Sequence, residues 1–344
     1  MEENIFFKEV DGVTYTSDMR VVTECDKNTE GKVVIPEGVE IIKQSAFKSC
    51  KSITSIVFPD SLRTIEREAF AGCSNLQHVD FGHGIREIGC LHITNDIFYG
   101  CKNLCSVIIP SQVKCIGNDV FNKTGLKTIQ LNEGLEEIGT MAFSHCQALT
   151  HLALPASLKQ FDSHRYNHFT NITLQTIPTD FILKITDASN GYYYPEYRVI
   201  TLDIGDKKVF IPNMMDGHYR YKLNKRMNKE GPTDELIYNM YNYAPSEAIR
   251  IEIGYYIYNE ALKQNDVDKI DEEFRLKLKQ RVAGMIIHLL TQNRVDDAIM
   301  VINLGFLSAP MTRDFLKKID NPTVRAYLLE NLNKLNDDRQ PLQL

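Results

Sequence analysis

The sequence predicts an α+β protein: a solenoid of parallel stacked strands, capped by β structure, followed by an all-α domain of helical hairpins. Three observations point there. An apolar pattern recurs about every 23 residues through the first half. The recurrence stops after Pro178, where a Tyr-rich segment and a Gly205-Asp206 turn follow. Beyond about Lys225 the apolar spacing changes to the three-and-four rhythm of helices. Length agrees, because 344 residues exceed what one hydrophobic core usually organises.

The first unit runs Val33-Val34-Ile35-Pro36, then Val39, Ile42, Ala46-Phe47, Cys50 and Ile53. Its strand-end position returns at Phe58, Phe81, Ile109, Leu131, Leu154 and Ile177, at steps of 23, 23, 28, 22, 23 and 23. Five extra residues near Cys90–Thr94 account for the long step, and one residue lost near Asn122–Gly125 for the short one. Such a period is the mark of a repeat architecture. A run such as Ile53-x-x-Ile56-x-Phe58 suits a short strand with alternate residues inward, and the Pro that follows cannot donate to a ladder. The aromatics Phe47, Phe70, Phe98, Phe121 and Phe143 fill the core. One unit cannot bury these groups alone, so neighbours must stack. At about 4.8 Å per strand, seven units give a sheet about 30 Å long.

These residues resemble the leucine-rich repeat family, in its 23-residue BspA-type branch. That branch's pattern, a strand ending in Ile-Pro, then Val-x-x-Ile-x-x-x-Ala-Phe-x-x-Cys-x-x-Leu, matches residues 33–161, and Ile172–Ile177 looks like one more degenerate unit. Gly82 and Asn132 stand where Pro is usual, and Tyr166 where Phe is usual, while Phe6–Tyr15 looks like the hairpin that often leads into such arrays. The resemblance implies a binding or adhesion module.

After the period fails, Tyr192–Leu202 and Lys208–Ile211 flank Gly205-Asp206 and read as a hairpin that covers the open edge of the last unit. Helices then follow from Ser246, over Glu272–Gln292, from Asp296 to Leu304, from Thr312 to Ile319 and from Pro322 to Leu332. This part is loosely similar to ankyrin-like helical tails on other leucine-rich proteins. The expected division is a solenoid domain over 1–222, with an N-cap to about 31, repeats over about 32–178 and a hairpin cap over about 190–213. The helical domain spans 224–344.

The formal charge of −6 speaks against general binding to nucleic acid, which usually shows as a basic excess. No apolar run is long enough to cross a bilayer, and the acidic start lacks the features of a signal peptide. A cytoplasmic protein is therefore expected, with the cell surface as the alternative, and bacterial or phage origin is expected from the family. Cys50, Cys73, Cys101 and Cys146 recur at one repeat position, as small buried thiols do, rather than at zinc-ligand spacing. Cys25, Cys90, Cys105 and Cys115 show no pattern. His164 and His168 are four apart, but no helix is evident there. No nucleophile elbow, phosphate loop or dinucleotide fingerprint occurs. The expectation is no catalytic residue, no metal and no cofactor.

A protein partner is expected instead. The outward strand positions form a small, mildly polar face, on which Val57, His78, Asp80, Ile108, Gln130 and His151 are the candidate contacts. Twelve of the sixteen tyrosines lie between Tyr192 and Tyr258, and Tyr suits surfaces that are part apolar and part wet. Tyr193 and Tyr197 are therefore a second candidate patch, at the domain junction. The expected function is a non-enzymatic protein-binding scaffold. The alternatives are a surface adhesin, or a regulator that docks on a nucleoprotein enzyme.

Overall fold

The computed structural model describes residues 7–89, 93–162, 167–188, 198–244 and 246–337. They divide into two compact units, one running to Thr233 and the other starting at Asp234; of the hairpin segment, Val199 and Phe210–Pro212 belong with the second.

The first unit is a solenoid built on three hydrogen-bonded edges. Phe7–Val10 and Val13–Thr16 form the expected N-terminal hairpin, and Val21–Cys25 adds antiparallel to it. Val21–Cys25 then pairs in parallel with Ile41–Ile42, which starts one edge of two-residue strands. That edge continues through Thr64–Ile65 and, in a further ladder, through Glu87–Ile88, Cys115–Ile116, Glu137–Ile138 and Gln160–Phe161. The second residue of each pair is buried. The longer strands make the outward edge in three ladders. Gly31–Val34, Ile53–Val57 and His78–Asp80 form the first. Ser106–Ile109 and Thr128–Leu131 form the second. His151–Leu154, Asn171–Leu174 and Val199–Ile204 form the third, in parallel.

The third edge is the turn that carries the aromatic. Phe47, Phe70, Phe98 and Phe121 each donate their amide to the carbonyl of the next unit at 2.8–2.9 Å. Their rings stack almost parallel from Phe47 to Phe143, with centroids 4.8 to 6.0 Å apart. Beside them runs the thiol column. Cys73, Cys101 and Cys146 donate to the carbonyls of Phe47, Phe70 and Phe121 at 3.0–3.2 Å. Thr124 fills the gap in that column and donates to the Phe121 carbonyl at 2.9 Å. Cys25 joins at the other end, against Cys50. Its place in the column corrects the expectation that Cys25 has no pattern.

Each such turn needs two left-handed residues. Ser45, Glu68, Asp96, Asp119 and Met141 take the first position, with φ of 48–60°. Ser49, Gly72, Gly100, Lys123 and His145 take the second. A side chain at that φ costs about 1–2 kcal/mol, which glycine avoids at a smaller entropic cost. Ser49 is exposed. Ser49→Gly should therefore raise the unfolding free energy in urea by about 0.5–1 kcal/mol. A loss of stability would show that the turn is not held in this conformation.

The last repeat departs from expectation. Leu154 pairs with Leu174, not Ile177, so the step shortens to 20 residues. Thr170 fixes that register by donating its amide to the Thr150 carbonyl at 2.8 Å. The Ile177-Pro178 pair does not end a strand. Pro178 instead accepts at 3.1 Å from Phe181, the first residue of helix α1 (Phe181–Ile185). Phe169 meets Phe143 edge-on at 6.4 Å, continuing the ring column; Tyr166 lies outside the described residues. Val199–Ile204 adds in parallel to Asn171–Leu174, and Lys207–Pro212 follows as its neighbour beyond the Gly205-Asp206 turn. Of the hairpin expected at this edge, Val199–Leu202 and Lys208–Ile211 are in these two strands, and Tyr192–Tyr197 lie outside the described residues. Helix α2 (Gly217–Glu230) starts earlier than Lys225 because Asp216 caps it, accepting from the His218 amide at 2.9 Å.

In the second unit, α3 (Asp234–Asn239), α4 (Glu247–Lys263), α5 (Glu272–Thr291), α6 (Val295–Asn303), α7 (Ala309–Lys318) and α8 (Pro322–Asp337) follow one another. Ser246 and Asp271 cap α4 and α5 as N-cap acceptors. Tyr255, Leu278, Val282, Ile286, Val301 and Phe315 lie in one core. Gly254 allows the close approach of α4 and α5, since a Cβ there would sit 2.7 Å from Leu278 Cδ2. Arg294, the residue before α6, reaches across to α4. It meets the buried Glu252 at 2.5 Å and the Tyr256 hydroxyl at 2.7 Å, and it also bonds Asp297.

Candidate functional site: the outward strand face

Strand alternation sends Ile56, Val107, Leu152 and Ile172 fully inward. Val79 and Ile129 are only half-buried. The residues on either side of these line up as two outward rows. In the first row, Lys32 is level with Ser55, and Ser55 with His78. Ser106 is level with Thr128. His151 is level with Asn171, and Asn171 with Thr201. In the second row, Val34 neighbours Val57, and Val57 neighbours Asp80. Ile108 neighbours Gln130. Ala153, Thr173 and Asp203 complete it.

The candidate residues therefore divide by ladder. Val57 and Asp80 are adjacent, with His78 on the same strand as Asp80. Ile108 and Gln130 are adjacent. His151 stands on the third ladder. His78, Asp80, Gln130 and His151 are exposed and Val57 is half-buried. Several of these groups have local partners. Asp80 Oδ1 accepts from the Gly82 amide at 3.1 Å, which holds the turn where Pro is missing. Gln130 Nε2 donates to Asn132 Oδ1 at 3.0 Å, and Asn132 Nδ2 donates to the Ile109 carbonyl at 2.6 Å. Asn132 thus replaces Pro with a side-chain bond to the preceding unit. The His151 ring lies 2.9 Å from Thr150 Oγ1.

Ile108 is 60% exposed, and the face holds a second large aliphatic, Val34, at 57%. Val34 was missed by sequence reasoning, although its place in Val33-Val34-Ile35 equals that of Val57 in Ile56-Val57-Phe58. Asn171, Thr173 and Asp203 were missed because the last unit was read out of step. Asp203 pairs with Lys208 at 3.2 Å. Tyr193 and Tyr197 lie outside the described residues, as does His164.

Among the described residues, no group of three or more His, Cys, Asp or Glu side chains is placed to hold a metal. Their seven cysteines are free thiols, six of them buried and Cys105 exposed. Burial pushes the Cys73 thiol up to about 12 and that of Cys146 to about 11. Neither is a nucleophile at neutral pH. No helix among the described residues is long and apolar enough to cross a membrane.

A family model described as the BspA type leucine rich repeat region matches residues 24–90 and 91–204, in six copies. No match is found among curated proteins. Similar solved structures are leucine-rich repeat proteins of bacteria. One is from Bacteroides ovatus ATCC 8483, 24% identical over 52% of this chain and 48% of that one, with a TM-score of 0.40. Another is a leucine rich cell surface protein from Faecalibacterium prausnitzii A2-165, 29% identical over 42% of this chain and 38% of that one, with a TM-score of 0.34. The leucine-rich repeat protein of T. pallidum is 22% identical over 55% of this chain and 73% of that one, with a TM-score of 0.32. The chain spans less than half the length of the first two.

Proposed function

The chain belongs to the BspA-type leucine-rich repeat family, whose members are protein-binding or adhesin-like scaffolds, and from that premise we propose a non-enzymatic scaffold that binds a protein partner on its outward strand face. The observation that supports this reading is the exposure of Val34 and Ile108 among small polar side chains on hydrogen-bonded strands. Folding gains nothing from an aliphatic group held in water, whereas a partner that covers it gains about 25 cal/mol per Å² of apolar surface. The strands are fixed before binding, so little conformational entropy is lost on docking. His78 and Asp80 on the third outward strand, Gln130 on the fifth and His151 on the sixth supply directional hydrogen bonds. Interfaces draw most of their energy from a few such positions.

Tyr193 and Tyr197 are the rival anchor, and two variants separate the sites. A partner is first recovered by affinity capture from the native host. Binding is then measured by calorimetry, with folding checked by circular dichroism. His78→Glu with His151→Glu should weaken binding at least about tenfold, since two charges would be buried against the partner. Tyr193→Ala with Tyr197→Ala should bind like wild type. The opposite pattern would move the site to the Tyr-rich segment.

A further inference from the structure

Helix α2 differs in charge from the rest of the molecule. Gly217–Glu230 carries Arg220, Lys222, Lys225, Arg226 and Lys229 against Glu230 alone, in a chain of formal charge −6. The remainder therefore carries −10. The helix buries Leu223, Asn224 and Met227. Asn224 Nδ2 donates to Asp180 Oδ1 at 2.9 Å, and Arg220 Nε to Thr186 Oγ1 at 3.1 Å, so both side chains are occupied in folding. The opposite face of the same helix falls on His218, Lys222, Lys225 and Lys229, at spacings of four, three and four. All four are exposed. Tyr221 is 63% exposed and Tyr219 45% on the flanks.

Elsewhere in the solenoid, basic side chains are interspersed with acidic ones along the surface, and some pair with them. Lys43 meets Glu66 at 3.0 Å, and Glu136 takes both Lys114 at 3.6 Å and Lys159 at 2.5 Å. On α2, Arg226 is held by Glu230 at 3.3 Å and Lys229 approaches that carboxylate only to 4.0 Å. Lys222 and Lys225 meet no acidic group among the described residues. Like charges one turn apart repel within a helix, so the stripe gives folding nothing. Exposed Tyr is enriched at contact surfaces, and a row of like charges steers and selects a partner of opposite charge.

We propose that the outer face of α2 is a second docking site, one for a short acidic segment of a partner protein. Its carboxylates lie along Lys222, Lys225 and Lys229, and one apolar side chain rests on Tyr221. Length selects this occupant. From His218 to Lys229 the stripe is about 16 Å long at the α-helical rise, about two Debye lengths at physiological salt. An acidic segment of about a dozen residues, bound as a helix with its carboxylates on one face, is satisfied within that span. A nucleic acid strand runs past it and gains nothing from the rest of the chain, whose formal charge is −10. The site is separate from the outward strand face and does not depend on it.

The test uses the full chain and three fluorescein-labelled probes. These are a 14-residue peptide with Glu at every third or fourth position and one Leu, its Gln counterpart, and single-stranded oligo(dT) of equal charge. Fluorescence anisotropy is read at low and at high salt. The acidic peptide should bind saturably and weaken with salt, and the Gln counterpart should bind at least about tenfold less tightly. Lys222→Glu with Lys225→Glu should lose about tenfold in affinity without a change in circular dichroism. Should that variant misfold, Lys222→Gln with Lys225→Gln removes the charges without reversing them and should still weaken binding severalfold. His78→Glu with His151→Glu should leave peptide binding unchanged. Three results would overturn the proposal: no saturable binding of the acidic peptide, oligo(dT) bound as tightly as the peptide, or both folded lysine variants binding the peptide like wild type.

Discussion

Replacing Phe70 by Ala should lower the unfolding free energy by about 3–5 kcal/mol, the cost of emptying a ring-sized site in a packed core. Phe70 is fully buried and lies in the middle of the ring column. It stacks on Phe47 at 4.8 Å and Phe98 at 5.4 Å, and leans on Phe58 at 5.6 Å. Aromatic pairs of this kind add about 0.5–1.5 kcal/mol beyond burial. The loss is shared, because each unit of a solenoid is held mainly by its neighbours. The units on both sides should loosen, which hydrogen exchange would show as lost protection at the amides of Phe47 and Phe98. Reversible urea denaturation measures the total. A loss below about 1 kcal/mol is what an exposed side chain would give, and would mean that the repeat has been misplaced.

The second large effect is expected at Arg294. Glu252 is 2% exposed, and its Oε2 has no hydrogen-bond partner among the described residues. Burial raises its carboxyl above the ordinary range, although Arg294 at 2.5 Å opposes the rise. Arg294→Met removes that counter-charge and should cost about 3–5 kcal/mol at neutral pH, as breaking a buried ion pair does. The pH dependence has a definite sign. A carboxyl whose pKa is higher in the folded state binds its proton more tightly there. Its stabilising contribution is full below the ordinary carboxylate pKa and is lost as pH rises through the folded value. The defect of Arg294→Met should therefore shrink between pH 7 and pH 5. Adding Glu252→Gln should recover most of it. A defect that ignores both pH and the second substitution would assign Arg294 a packing role only.

Much of this was legible in the residues, and the reason is physical. A solenoid repeats one set of contacts, so each inward position is written several times. Phe47, Phe70, Phe98, Phe121 and Phe143 could be placed from spacing alone, and the outward neighbours Ile108 and Gln130 followed from strand alternation. Reading failed where a residue did the usual task by other means. Thr124 holds a thiol position with a hydroxyl. Asn132 replaces Pro with a side-chain bond. Ile177-Pro178 looks like a strand end, yet it belongs to the turn before α1, which put the last unit three residues out of step and hid Asn171 and Asp203. The basic face of α2 was hidden for another reason. Its charge balances against the acidic solenoid in any sum over a long segment, and it emerges only when the helix start at Gly217 and the buried face are known.

The central claim is that the outward strand face carries the partner. Site-specific cross-linking tests it most directly, with p-benzoylphenylalanine placed in turn at Ile108 on that face and at Thr64 on the edge of two-residue strands. Both positions are exposed. Irradiation with the partner bound should give a discrete adduct from position 108 and none from position 64, and His78→Glu with His151→Glu should abolish it. An adduct from position 64 with none from position 108 would contradict the account.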